Sequence, residues 1–225
     1  GGGSNSNDSI ATPGTEQPLW GGGFNGFLVK FDTAGNRLWG TYMGGTGSTY
    51  ISSVSCDSLG HIYVSGNTDD GSNIATPGSL HPTKPGGKDC FLIKYDSTGI
   101  RKWGTYFGGP SDEFGCVSST DGDNVYLAGW TFSKGGIATP LSFRTFLSGT
   151  VDDFVAKLDS AGNLQWSTYY GGKGTESTGG ITCKNGFIYL FGSTQSDTII
   201  ATAGAHQAVR GGLADAFLAR FDPAG

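Results

Sequence analysis

The chain has 225 residues, of which 41 are glycine and 8 are proline, while 15% are charged and 12% are aromatic. No Gly-X-Y period runs through the sequence and no apolar stretch approaches about 20 residues, so collagen and membrane-spanning helices are excluded. The aromatic content argues against disorder, and the net charge of −5 disfavours nucleic acid and anionic membranes as partners.

Four short landmarks recur along the chain in one fixed order. Ile-Ala-Thr comes first, followed by a Phe-Leu-Val-Lys-Phe-Asp segment, a Trp-Gly/Ser-Thr-Tyr segment with paired glycines after it, and an Ile-Tyr-Val-x-Gly segment. Each landmark returns after 63 or 64 residues. The repeats are therefore the tail of a preceding repeat (1–9), repeat 1 (10–73), repeat 2 (74–136), repeat 3 (137–199) and a partial repeat 4 (200–225).

Each repeat contains the pattern of two β-hairpins. In repeat 1, the aromatic and β-branched residues of 27–31 predict a strand, and the turn 32–36 contains the Asp and Gly that favour a tight reversal. The Trp-bearing segment 37–42 completes this hairpin, and a second hairpin joins 52–56 to 61–66. No segment shows helical periodicity with caps. The sequence thus predicts an all-β protein made of β-propeller blades, with four antiparallel strands per repeat of about 63 residues.

Side-chain size predicts the order of the strands within a blade. The strand that ends at Cys56 has small side chains, as its counterparts in repeats 2 and 3 do. Blades crowd together near the axis of a propeller, so we expect this strand to lie nearest the axis. The Trp-bearing strand then lies outermost.

These motifs resemble a known family. The Trp-Gly-Thr-Tyr run before Gly-Gly, the Asp-Ser-x-Gly-x-Ile-Tyr-Val-x-Gly hairpin and the Ile-Ala-Thr-Pro-Gly connector are similar to the SBBP repeat, a bacterial β-propeller repeat. The resemblance covers essentially the whole chain. It implies a propeller in secreted or cell-surface bacterial proteins, which are often large and multidomain. It implies no catalytic residues, because the repeat motif is structural.

Both ends of the chain fall inside a repeat. Gly2–Ser6 matches Gly192–Ser196, and the last residues, Asp222–Gly225, match a hairpin turn. We therefore expect a segment of a larger propeller, whose partner is the rest of its own longer chain. The alternative is that two copies pair, because about 3.5 repeats taken twice make about seven blades.

The cysteines and histidines offer little chemistry. No Cys-x-x-Cys is present, so we expect small buried thiols rather than zinc ligands. The alternative is a disulfide. The histidines form no cluster with ligand spacing, and we expect no cofactor and no metal. The residues concerned are Cys56, Cys90, Cys116 and Cys183, and His61, His81 and His206.

Acidic residues near the paired glycines are the remaining candidates for catalysis or metal binding. Glu113 and Glu176 share one register, and Asp112 lies beside the first of them. A ring of such loops could bind a sugar or a calcium ion, but the simpler interpretation is solvated loop charges. No Ser-His-Asp or Cys-His set is brought together by the sequence, so we expect no enzyme activity.

The connectors between Ile-Ala-Thr and the next strand carry more functional information. Residues that recur in every blade are explained by packing, whereas loops that diverge on a uniform scaffold form specific surfaces. Four residues share one register, namely Trp20, Lys84, Leu147 and Arg210. The candidate binding residues are Trp20, Lys84, Phe146 and Arg210. We expect at least one of the two aromatic candidates to be exposed and to lie at an interface.

The sequence also contains six Asp-Ser/Thr pairs followed by an apolar residue or Thr. This pattern resembles the O-glycosylation sequon of exported proteins in Bacteroidota-type bacteria, although Asp-Ser/Thr is also good turn chemistry. The candidate acceptors are Ser9, Thr33, Ser58, Ser97, Ser160 and Thr198.

Together these features predict a non-catalytic extracellular β-propeller module. It would serve as a scaffold or as an adhesive, protein-binding surface of a larger exported bacterial protein. The alternatives are a glycan-binding propeller and a propeller glycan hydrolase, which would need clustered carboxylates. Surface proteins or glycans are the expected partners, with no nucleic acid and no membrane insertion.

Overall fold

A computed structural model describes residues 1–225 and contains β-strands but no helix. All strand pairs are antiparallel. No element of the structure is a helix long and apolar enough to cross a membrane. The strands are β1 (Gly2–Ser4), β2 (Asn25–Phe31), β3 (Arg37–Met43), β4 (Thr49–Cys56), β5 (Ile62–Thr68), β6 (Asp89–Tyr95), β7 (Arg101–Phe107), β8 (Glu113–Asp121), β9 (Asn124–Thr131), β10 (Asp152–Asp159), β11 (Leu164–Tyr170), β12 (Glu176–Lys184), β13 (Phe187–Thr194) and β14 (Asp215–Phe221).

The strands form four sheets, which we call blades I to IV. Their orders are β1-β2-β3, β4-β5-β6-β7, β8-β9-β10-β11 and β12-β13-β14. The Trp-bearing strands β3, β7 and β11 form one edge of their blades, as predicted. The strands at the other edge, β4, β8 and β12, contact one another from blade to blade. The prediction of an all-β chain of propeller blades is confirmed.

A blade is not the same unit as a sequence repeat. Blade II takes β4 and β5 from repeat 1, and β6 and β7 from repeat 2. Blade III is built in the same way from repeats 2 and 3. Blade I has no counterpart of β4, and blade IV has no counterpart of β7. Consecutive repeats are therefore interlocked, because the chain crosses from one blade to the next within every repeat.

The hydrophobic core lies between the blades. We call these interfaces seam I/II, seam II/III and seam III/IV. Each has its own cluster of buried side chains, for example Leu28 with Ile93, Leu92 with Leu127, and Tyr126 with Leu190. Alternation along the strands directs one row of side chains towards each neighbouring blade. The apolar residues of the repeat are thus accounted for by blade packing.

A repeated contact at the outer edge explains the Trp and the turn Gly of the motif. Trp39 Nε1 and Lys30 Nζ donate hydrogen bonds of 3.4 and 2.8 Å to the carbonyl of Ser97 in the next blade. A Cβ on Gly99 of the same turn would lie 3.0 Å from the Trp39 ring, and this Gly has a φ of +88°. The contact recurs at Trp103 and Trp166. These residues hold neighbouring blades together.

Candidate functional site

The loops that differ between repeats emerge at one end of the blades. Strands β4 and β6 begin there and β5 and β7 end there, so a short glycine-rich loop and a long connector lie side by side. The opposite end carries the tight hairpin turns. We call the first end the loop rim; it comprises the loops 44–48, 108–112 and 171–175 and the connectors 5–24, 69–88, 132–151 and 195–214. The other end is the hairpin rim.

Most connector candidates form contacts within their own loop. Trp20 Nε1 donates a hydrogen bond of 2.8 Å to the carbonyl of Gly23. Lys84 Nζ and Arg210 Nη1 each donate to a carbonyl two residues further along the chain. Leu147, in the same register, packs against the core of seam II/III. Three of the four residues in this register thus close their own connector.

Phe146 is the connector candidate that remains exposed. Its side chain is 61% accessible, whereas Trp20 is half-buried. The Arg144 guanidinium lies 6.0 Å from the centre of the Phe146 ring. The expectation that one of the two aromatic residues is exposed is confirmed, and its place in an interface stays a prediction.

The candidate glycosylation residues are divided between the two rims. Ser9 and Thr198 lie on the loop rim, and the other four lie in hairpin turns. All are exposed except Ser160, which is half-buried. In the first turn, Asp32 Oδ1 accepts hydrogen bonds from the amides of Ala34 and Asn36. The Asp of the pair thus forms the turn, and modification of the neighbouring hydroxyl stays a prediction.

Two cysteines form a disulfide that links blades II and III. Cys90 on β6 is bonded to Cys116 on β8, with a Cα–Cα distance of 5.7 Å. The expectation of small buried thiols is therefore wrong for this pair. Cys56 and Cys183 are free, and Cys183 Sγ lies 3.1 Å from Ser119 Oγ.

Glu113 is buried in seam II/III, so its interpretation as a solvated loop charge is wrong. Its Oε1 accepts hydrogen bonds of 2.6 Å from the hydroxyls of Thr131 and Ser133. Its Oε2 accepts one of 3.1 Å from the amide of Gly109. The carboxyl group points inward because it accepts hydrogen bonds from these two hydroxyl groups and from the amide of the glycine-rich loop.

The carboxyl group of Asp89 faces Glu113 across the seam. Burial raises the pKa of Glu113 to about 7, and the charge of Asp89 adds to this rise, while the hydroxyls of Ser133 and Thr131 oppose it. Burial also raises the pKa of Asp89. Two buried acids this close favour a state in which at least one is protonated.

Seam III/IV repeats the arrangement. Glu176 is also buried, and its Oε1 accepts hydrogen bonds of 2.7 Å from Thr194 and 2.6 Å from Ser196. Its Oε2 accepts one of 3.1 Å from the amide of Gly172. The interpretation as a solvated charge is wrong here for the same reason.

Seam I/II has a related arrangement in which the residue types at two positions are exchanged, and Asn25 stands where Asp89 stands in seam II/III. Thr49 occupies the position of Glu113, and Asp70 occupies that of Ser133. Asp70 Oδ2 accepts hydrogen bonds from the amides of Gly45 and Gly47. In each seam, therefore, one carboxyl group accepts hydrogen bonds from amides of the glycine-rich loop. The group belongs to the first strand of the pair in seams II/III and III/IV, and to the residues after the second strand in seam I/II.

Asp70 and Glu113 have opposite pH behaviour. Burial raises the pKa of Asp70, but hydrogen bonds from Ser72 and from the loop amides outweigh it, and the net pKa is lowered. Asp70 thus stabilises the fold above its ordinary pKa and loses this effect in acid. The raised pKa of Glu113 gives the reverse: its contribution is complete below about 4.5 and is lost as the pH rises through about 7.

We therefore expect the free energy of unfolding to fall between pH 5 and pH 8, and Glu113→Gln to reduce this slope. The amide cannot ionise, so the cost of a buried charge disappears. Urea unfolding at each pH measures the effect, with Asp123→Asn on an exposed carboxylate as the control. An unchanged slope in Glu113→Gln would show that Glu113 does not titrate in this range.

A cleft of ≈ 360 Å³ lies on the loop rim beside seam II/III; it is lined by His81, Pro82, Thr83, Pro85, Gly108, Gly109, Pro110 and Gly136. In the matching position of blade I, Gln17 Nε2 reaches the carbonyl of Gly44 at 2.8 Å. His81 makes no such bond, and its Nδ1 is buried without a partner. Burial lowers the pKa of His81. The cleft is thus lined by one imidazole, by proline and threonine residues and by the glycines of the loop rim.

A partly exposed aromatic patch lies on the loop rim where blades II and III meet. We define it by Phe114, Trp130, Phe132 and Lys88. The Phe114 and Trp130 rings stack with centres 4.6 Å apart, and the Phe132 ring meets Trp130 edge-on at 5.7 Å. Lys88 Nζ lies 5.6 Å from the centre of the Phe114 ring. Phe132 is 39% exposed, so the patch combines accessible aromatic surface with a cation.

The patch has a smaller counterpart at the matching place in blade II. Tyr50 occupies the register of Phe114, is 42% exposed, and stacks on Phe24 at 4.8 Å. Sequence reasoning missed both pairs because their members come from different segments of the chain. The one available signal was Trp130, which stands where the other repeats have Asn67 and Ser193.

Comparison with known proteins finds a distant structural likeness and no family. No protein-family model matches the chain, and no curated protein matches it. Among solved structures, the chain is similar to "Phage phi92 endosialidase", with a TM-score of 0.43 and 16% identity over 88% of this chain and 32% of that chain. The chain thus spans about a third of that protein. A likeness this distant says nothing of activity.

Proposed function

We propose that the chain is a non-catalytic module of an SBBP-type β-propeller in an exported or cell-surface bacterial protein. Its loop rim serves as a scaffold or adhesive surface for other proteins. The observation that carries this proposal is the contrast on the rim between the buried carboxyl groups and the aromatic patch. The former are bonded to loop amides and hydroxyls, whereas the latter is accessible. Exposed aromatic surface of this kind marks binding sites.

Two further features support the proposed location and partners. A disulfide between blades persists in oxidising compartments such as the bacterial exterior. Blades I and IV each have three strands where blades II and III have four, which favours completion by the rest of a longer chain or by another copy. The net charge of −5 is unfavourable for nucleic acid.

Glycan binding is a second candidate, and the paired aromatic residues favour it. Aromatic rings at matched positions on two blades, with Lys88 and Asp112 nearby, offer apolar faces together with hydrogen-bond donors and acceptors. Sites for small ligands combine such surfaces with a few polar groups. A glycan would therefore be recognised at the aromatic patch.

Binding to immobilised glycans and to extracellular proteins distinguishes these candidates. We expect Trp130→Ala and Phe132→Ala each to weaken binding by about tenfold, because a central aromatic contact contributes on the order of 1.4 kcal/mol. Phe31→Ala is the matched control, since Phe31 is a 58% exposed aromatic residue on the hairpin rim. Binding that both patch variants retain would exclude the patch as the site.

The non-catalytic assignment has its own test. The chain is incubated with a panel of polysaccharides, and new reducing ends are measured. We expect none above a heat-treated control. Release of reducing ends that Glu113→Gln abolishes would contradict the proposal and favour a hydrolase.

A further inference from the structure

The cleft beside seam II/III is open because blade II has a short side chain where its neighbours have longer ones. His81, Gln17 and Arg144 occupy the same place, since the carbonyl of each accepts a hydrogen bond from a Tyr amide of a Trp-bearing strand. Gln17 Nε2 donates a hydrogen bond of 2.8 Å to the carbonyl of Gly44. Arg144 Nη1 donates one to the carbonyl of Gly171. The His81 ring makes no such bond, and a space of ≈ 360 Å³ stays open beside the loop.

This space contains hydrogen-bonding groups that the chain itself leaves without a partner. Gly108 is the first glycine of its loop, as Gly44 and Gly171 are of theirs, but its carbonyl accepts no hydrogen bond from the chain. His81 Nδ1 is buried without a partner. Thr83 adds an exposed hydroxyl group at the wall of the cleft. A ligand with hydrogen-bond donors would satisfy the carbonyl group.

Acidic side chains directly behind the free carbonyl favour a positively charged ligand. A Cβ on Gly108 would overlap both Asp89 Oδ1 and Glu113 Oε2, and Asp89 Oδ1 is itself buried without a partner. One cation faces this pair, because Lys84 Nζ lies 3.7 Å from Asp89 Oδ2. Burial lowers the pKa of His81, which favours its uncharged form near neutral pH. Two acids with one lysine thus leave room for a second positive charge.

The walls of the cleft suit a flat group on an aliphatic stem. Pro82, Pro85 and Pro110 line it with apolar ring surfaces. The matching place in blade III already holds a guanidinium: Arg144 lies 5.7 Å from the centre of the Phe143 ring, and its Nη1 donates a hydrogen bond of 2.6 Å to a serine hydroxyl. A guanidinium combines a planar shape with several donors and a permanent charge. It therefore matches the cleft in shape, donors and charge.

We infer that the cleft binds the guanidinium group of an arginine side chain from a partner protein. The group donates a hydrogen bond to the carbonyl of Gly108, and its stem packs against the prolines. This inference rests on the proposed function of the loop rim as a protein-binding surface, and it names a side chain that the partner supplies. The loop 108–112 joins the cleft to the aromatic patch, because Asp112 Oδ1 accepts a hydrogen bond of 2.8 Å from the amide of Lys88. One partner can therefore occupy both.

The test is a titration of the intact, isotope-labelled chain, with its disulfide formed, followed by nuclear magnetic resonance at neutral pH. The ligand is N-acetyl-arginine amide. We expect saturable shifts of the amide signals of Gly109 and Gly136, which line the cleft. N-acetyl-citrulline amide has nearly the same shape but no charge. It should bind about tenfold more weakly, because hydrogen bonds from a charged donor are about twice as strong as those from a neutral one.

A protein variant locates the binding. His81→Gln places in blade II the side chain that Gln17 provides in blade I, so the fold should accommodate it. Its amide should donate to the carbonyl of Gly108 and fill the cleft, which weakens binding of the arginine ligand by about tenfold or more. His206→Gln, at an exposed histidine in the connector of blade IV, is the matched control and should bind as the wild type does.

Three outcomes would overturn the inference: no saturable shift at the cleft, equal binding of the citrulline ligand, or unchanged binding in His81→Gln. Equal binding of N-acetyl-glutamine amide would assign the cleft to a neutral amide and would also overturn it. Binding at the aromatic patch is measured separately, with the Trp130→Ala and Phe132→Ala variants. Loss of arginine binding contradicts this inference alone, whereas patch variants that keep full partner binding contradict the proposed function.

Discussion

Removal of the Cys90–Cys116 disulfide is expected to lower the free energy of unfolding by about 3.5 kcal/mol. The bond closes a loop with a sequence separation of 26 residues, and the chain-entropy model gives this value for such a loop. The two residues lie on different blades, so the bond also restricts separation of blade II from blade III. Both sulfur atoms are fully buried, so the double replacement Cys90→Ser and Cys116→Ser additionally places hydroxyl groups in an apolar core.

Denaturant unfolding of the oxidised and reduced chains measures this effect. Cys56→Ser and Cys183→Ser form the matched control, because they remove two thiols that are not bonded. The control should unfold at the wild-type denaturant concentration and lose the same amount of stability on reduction. Equal stability of the oxidised and reduced chains would show that the seam, rather than the bond, holds the blades in place.

The sequence predicts features that repeat because local chemistry determines them. The turn at Gly99 follows from its need for a positive φ, and the strand order follows from small residues at one edge and Trp at the other. The recurrence of Trp39 in each repeat predicts blade packing, but it does not predict the partner carbonyl in the next blade. That partner is 58 residues away, at nearly one repeat, and its backbone oxygen carries no sequence signal.

The features that were mispredicted depend on contacts between different segments. Glu113 looks like a loop charge until Thr131 and Ser133 are known to surround it. Cys90 and Cys116 occupy different positions in the repeat, so periodicity could not pair them. The stack of Phe114 on Trp130 joins two strands in the same way. One-dimensional spacing identified the scaffold but not the specific contacts across it.

The exchange of residue types between seams leads to the second large prediction. Seam I/II uses Thr49 with Asp70, whereas seam II/III uses Glu113 with Ser133. Glu113→Thr alone should cost about 3 kcal/mol, because the amide of Gly109 loses its buried acceptor. Ser133→Asp alone should also destabilise the chain at neutral pH, because a second carboxylate is placed beside Glu113.

The double variant Glu113→Thr with Ser133→Asp should recover part of the lost stability, because Asp70 already performs this role one seam away; recovery stays incomplete because Asp89 faces the new carboxylate. Between pH 5 and pH 8, its free energy of unfolding should also fall less than that of the wild type. The reason is that the pKa of Asp70 is lowered, whereas that of Glu113 is raised. Double-mutant cycles by urea unfolding at both pH values measure the coupling. The reverse exchange, Thr49→Glu with Asp70→Ser, provides the matched comparison. Purely additive effects would mean that the carboxyl group acts through its position in the strand and not through the loop amides that it binds.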